Sequence, residues 1–86
     1  MKAKLKKKLN DDLVKDILMF FYEHQASIDT VGGVSTWVGS DRGKVEDALD
    51  ELVRLGVLEK DSMGSTNGYC YTRDKKVMKI VRGLIE

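Results

Sequence analysis

One apolar stripe near the middle of the chain limits its folding more than any other feature. Val45, Ala48, Leu49, Leu52 and Leu55 recur at three- and four-residue spacing, the repeat that lines side chains along one face of an α-helix. Asp41 stands where a capping carboxylate accepts from the first free amides of such a helix. Gly56 stands where a left-handed residue ends it. A helix with one apolar face cannot bury that face alone, so the rest of the chain must supply complementary stripes.

It supplies three. Leu13, Val14, Ile17, Leu18, Phe20 and Phe21 mark a helix that ends near Gln25, with Asn10 expected as its cap and Asp11 and Asp12 in its first turn. Leu5 and Leu9 extend this stripe backwards, into a lysine-rich start. A short second helix follows Thr30, with Val34, Trp37 and Val38 as its expected buried face and Gly39 at its end; Ile28, just before it, is expected in the core. Gly32 and Gly33 near its start mark a close backbone approach or a loosely wound first turn. After Gly56, residues 57–61 and 69–72 flank a turn-rich stretch and read as a β-hairpin, with Tyr69 and Tyr71 alternating as in a half-buried strand. Residues 74–85 close the chain with a helix whose stripe is Val77, Ile80, Val81 and Leu84. Val45, Leu49 and Leu52 are expected to pack on Ile17, Leu18 and Phe21.

Eighty-six residues, 42% of them apolar and 34% charged, suit a single small globular domain and exclude a disordered chain. The lone Cys70 rules out an internal disulfide. The longest apolar run, Ile17 to Tyr22, is too short to span a bilayer, and Asp11, Asp12, Lys15 and Asp16 interrupt any leader-like stretch, so the sequence reads as cytoplasmic. Charge is distributed unevenly. Five lysines fall within the first nine residues, whereas the remaining chain carries ten basic against fourteen acidic residues. The expected organisation is a basic arm over 1–9 and a folded domain over 10–86. The arm reads either as a solvated terminus or as a nucleic-acid contact.

The residue types also limit the chemistry. One histidine and one cysteine make no metal signature. No nucleophile–base pair, phosphate-binding loop or paired-carboxylate site is present, so neither an enzyme nor a cofactor is expected. His24 reads as a helix-end cap or a solvated side chain, Cys70 as a packing residue, and Phe20 or Tyr22 as surface candidates for a partner contact.

Helix, helix, tight turn, helix and hairpin follow one another in a particular order. The stretch Val34-Ser35-Thr36-Trp37-Val38-Gly39-Ser40-Asp41, then Val45, Leu49, Leu52 and Gly56-Val57-Leu58, closed by Tyr69-Cys70-Tyr71-Thr72, resembles the winged helix-turn-helix superfamily of transcription regulators. The resemblance covers about residues 13–85. It implies a mainly α fold with a three-helix core, a two-stranded wing and an extra C-terminal helix. It also implies double-stranded DNA as partner, with the third helix entering the major groove and the wing touching the backbone. Carried onto this chain, the reading residues are Ser40, Arg42, Gly43, Lys44 and Asp47, with Ser65, Thr66 and Asn67 at the wing tip. Arg42 and Lys44 suit guanine edges or phosphates.

The sequence departs from that pattern on the face of the third helix opposite its apolar stripe. Gly43, Glu46, Asp47, Asp50, Glu51 and Arg54 fall there, and four of these six are acidic. A phosphate backbone repels such a cluster over about one Debye length. The wing tip carries neither arginine nor lysine. Two functions therefore follow: a DNA-binding regulator, or an interaction module whose acidic helix docks on a basic protein. Pairing of two copies through the first and last helices is expected, motivated by Leu5, Leu9, Met78 and Ile85 as exposed apolar residues.

Overall fold

A computed structural model describes residues 2–63 and 66–86. Its elements are α1 (Lys2–Lys8), α2 (Asp12–Glu23), β1 (Ile28–Asp29), α3 (Val31–Val38), α4 (Arg42–Arg54), β2 (Leu58–Met63), β3 (Thr66–Tyr71) and α5 (Lys75–Ile85). No helix among the described residues is long and apolar enough to cross a membrane.

Local chemistry sets the helix boundaries. Thr30 Oγ1 accepts from the Gly33 amide at 3.1 Å, and the Asp41 carboxylate from the Lys44 amide at 3.1 Å. The Asp74 carboxylate accepts from the amides of Lys76 and Val77 at 2.9 and 3.4 Å. These side chains satisfy donors that the first helical turn leaves open. Gly56, at φ +80°, ends α4 in a Schellman motif: its amide donates to the Val53 carbonyl while that of Val57 reaches back to Leu52, each at 3.0 Å. Gly39, at φ +70°, turns the chain between α3 and α4. The cap of α2 is Asp11, not Asn10, with its Oδ1 accepting from Leu13 at 2.9 Å. Asn10 instead lies in the turn that closes α1, its amide donating to the Lys7 carbonyl at 3.2 Å.

The core forms where α4 packs against α2 and α3. Val45, Leu49 and Leu52 are fully buried together with Ile17, Leu18 and Phe21. Three features differ from the sequence expectation. Lys2–Lys8 form a helix of their own, separate from α2, and Leu5, expected at the surface, is wholly buried. Leu9, Met78 and Ile85 are half-buried against the same core. Trp37 is 58% exposed and Ile28 50% exposed. The stripe of α3 runs through Val31, Val34, Ser35 and Val38, and Ser35 tolerates burial because its hydroxyl donates to the Ser40 carbonyl. Trp37 instead lies across Phe20, with ring centroids 4.6 Å apart.

The hairpin is part of a three-stranded antiparallel sheet in the order β1-β3-β2, because Ile28 and Asp29 pair with Cys70 and Tyr69. That pairing turns the Ile28 side chain outward and makes β3 the central strand. Tyr69 and Tyr71 face the core together, as their spacing implies, and Cys70, on the other face beside Ile28, is buried as well. Phe20 is buried as well, and Tyr22 is half-buried with its hydroxyl on the Glu86 carboxylate. His24 caps α2: its amide donates to the carbonyls of Phe20 and Phe21, and its Nδ1 lies 2.8 Å from the Phe20 carbonyl.

Candidate nucleic-acid interface

The first turn of α4 is held out from the core by the Asp41 cap and by Val45, which anchors the following turn. Arg42, Gly43 and Lys44 are therefore exposed at the helix N-terminus, where free amides and the helix dipole favour an anion. The hundred-degree step of the helix sends Arg42 and Lys44 to opposite flanks. On one flank, Arg42 and Gly43 share a hollow with Thr30, Val31, Gly32, Glu46 and Asn67 of the wing. A Cβ added at Gly32 would lie 3.8 Å from the Arg42 guanidinium, so that side chain rests across the start of α3. On the other flank, Ser40, Lys44 and Asp47 line a hollow with Lys8 and Glu51.

The structure thus joins Arg42, Gly43 and Asn67 into one surface and sets Ser40, Lys44 and Asp47 on another. Ser65 lies outside the described residues, and of Thr66 only the backbone, in β3, is described.

The acidic face of α4 is less acidic than the sequence suggested. Glu51 ion-pairs with Arg54 at 2.6 Å and with Lys8 of α1 at 3.5 Å. Asp50 Oδ1 accepts from the Tyr69 hydroxyl at 2.8 Å and pairs with Lys60 Nζ at 3.3 Å. Glu46 and Asp47 form no ion pair among the described residues. Burial, then the bond to Asp50, raises the pKa of Tyr69, so its hydroxyl remains a donor at neutral pH. Contact with the Tyr69 side chain, then Asp50, raises that of Lys60, which stays cationic.

Lys60 had no role in the sequence reading, Tyr69 was expected only as a half-buried strand residue, and Lys8 only as one of the lysines of the basic arm. The hairpin register pairs Lys60 with Tyr69, and that register was the one available clue to two of them. Contact between either residue and α4, or between Lys8 and Glu51, is non-local and leaves no periodic trace. Among the described residues no group of three or more His, Cys, Asp or Glu side chains could hold a metal ion.

No protein-family model and no curated protein sequence matches the chain. Solved structures do. Reduced HlyU from Vibrio cholerae is similar at 20% identity and TM-score 0.74, over 96% of this chain and 84% of that one. MepR, a transcription regulator of the Staphylococcus aureus multidrug efflux pump MepA, is similar at 19% identity and TM-score 0.72, over 99% of this chain and 65% of that one. A MepR–DNA complex is similar at 18% identity and TM-score 0.72, over 98% and 70%. The transcriptional regulator Tm0710 from Thermotoga maritima is similar at 21% identity and TM-score 0.66, over 93% and 58%. The chain spans less than two thirds of Tm0710 and of the uncomplexed MepR chain. Identities this low speak to architecture alone. The chain has the winged helix-turn-helix fold.

Proposed function

We propose that the chain is the DNA-binding module of a transcription regulator. One observation carries this reading: the N-terminal turn of α4, with Arg42 on one flank and Lys44 on the other, stands free beside the wing residue Asn67. That is the geometry by which a helix enters the major groove while a hairpin follows the adjacent backbone. A likeness to MepR, which has been solved with DNA, supports it. Arg42, Lys44 and Ser40 are the donors in this reading; Gly43 lets the backbone come close, and Asp47 faces bases rather than phosphates. Asn67 contributes an amide from the wing, and Ser65 and Thr66 remain proposed phosphate contacts. The exposed lysines of α1 add sequence-independent attraction.

The alternative, an acidic helix docking on a basic protein, is weakened by the engagement of Asp50 and Glu51 within the chain. Two copies pair through α1 and α5 in this reading. Its support is the hollow between them, where Leu9, Met19, Leu84 and Ile85 remain incompletely covered.

Competition among duplexes of varied sequence tests the proposal. Arg42→Ala is expected to relax preference at one base pair by about 1–3 kcal/mol while leaving binding to random DNA nearly intact. Uniform weakening on every duplex would make Arg42 a phosphate contact, and an unchanged profile would remove it from the interface. Two chains per preferred site is the expected stoichiometry; a single chain would refute the pairing.

A further inference from the structure

The wing meets α4 at one carboxylate. Asp50 Oδ1 accepts from the Tyr69 hydroxyl of β3 at 2.8 Å and pairs with the Lys60 ammonium of β2 at 3.3 Å. Lys60 and Tyr69 are cross-strand partners, and the ammonium lies 5.4 Å from the centroid of the Tyr69 ring. The phenol is wholly buried, so its hydroxyl holds the carboxylate in a fixed position. The ion pair is different: its side chains are 36% and 40% exposed, so water and an incoming anion reach both. Lys60 is the cation of β2, on the strand that leads out along the wing.

An exposed lysine–carboxylate pair is weak and exchanges readily, because solvent screens it. A phosphate brought to Lys60 must displace or share the Asp50 carboxylate, whose own charge repels it. Resting on the DNA-binding reading above, we propose that Lys60 is the wing's cationic phosphate contact and Asp50 its internal competitor. The carboxylate holds the ammonium beside α4 and reduces the wing's affinity for any duplex. Tyr69 is the positioning residue that keeps the competitor in place.

Asp50→Asn separates charge from geometry, since the amide oxygen still accepts the Tyr69 hydroxyl. Titration of a random-sequence duplex over a range of salt concentrations is the measurement, with circular dichroism confirming that each variant is folded. Asp50→Asn is expected to bind several-fold tighter than the parent chain, with the slope of log K against log salt steeper by up to about 0.9, the increment of one phosphate contact. The gain should vanish when Lys60→Gln is added. Glu46→Gln serves as the control: Glu46, on the same helix, has no ion pair among the described residues, so any gain it gives should persist without Lys60. An Asp50→Asn gain that is equal with and without Lys60 would overturn the proposal, as would no gain in a parent chain that binds DNA. Absence of binding by every variant at low salt would overturn the DNA-binding reading itself, and this proposal with it.

Discussion

Tyr71 places a phenol in the core with its hydroxyl enclosed and, among the described residues, without a hydrogen-bond partner. Burial, then the neighbouring Tyr22, pushes its pKa up to about 12 from the ordinary value of 10.0. The folded state therefore holds this proton more tightly than the unfolded chain does. The associated stability is fully present below pH 10 and is lost as pH rises towards 12, on the order of 3 kcal/mol in all. Tyr71→Phe removes both the titration and an unsatisfied polar group. Urea unfolding at neutral pH should find the variant as stable as the parent or up to about 1–2 kcal/mol more so, with a shallower decline above pH 10. A clear loss of stability at neutral pH would mean that the hydroxyl has a partner. Trp37 shows where sequence reading failed for single residues. A helix of eight residues allows two settings of its stripe, and the one adopted buries Ser35, whose hydroxyl donates to the Ser40 carbonyl, and leaves the indole outside.

Among the elements, α4 is the one on which the others depend. Leu49 is fully buried in the cluster it shares with α2, so Leu49→Ala should cost about 2–5 kcal/mol in urea or thermal unfolding. An unchanged midpoint would show that the α2–α4 contact does not hold the fold. The ends of α3 and α4 and the start of α5 were legible in advance, because caps and left-handed glycines act within a few residues of one another. β1 was not legible: two residues carry no periodicity, and only pairing with Cys70 and Tyr69 makes them a strand. Helix α1 lay between these cases. Its lysines read as a solvated arm, but Leu5 continues the stripe of α2 and ties Lys2–Lys8 to the core.

For the molecule as a whole, the question is whether a surface with mixed charge can face DNA. Sequence placed Arg42, Gly43 and Lys44 correctly in the first turn of the helix, because capping and periodicity fix both phase and start. It overstated the acidity of the same helix, because Lys8 of α1 and Lys60 of β2 reach Glu51 and Asp50 across element boundaries. What remains is a cationic N-terminal turn, a partly neutralised face and a lysine-bearing helix at one side. The most direct test is equilibrium titration of the full chain with a random-sequence duplex over increasing salt. A dissociation constant in the range of about 10⁻⁶ to 10⁻⁴ M is expected near physiological salt, tightening at lower salt along a straight log–log line. No complex at low salt, or one whose affinity ignores salt, would contradict it.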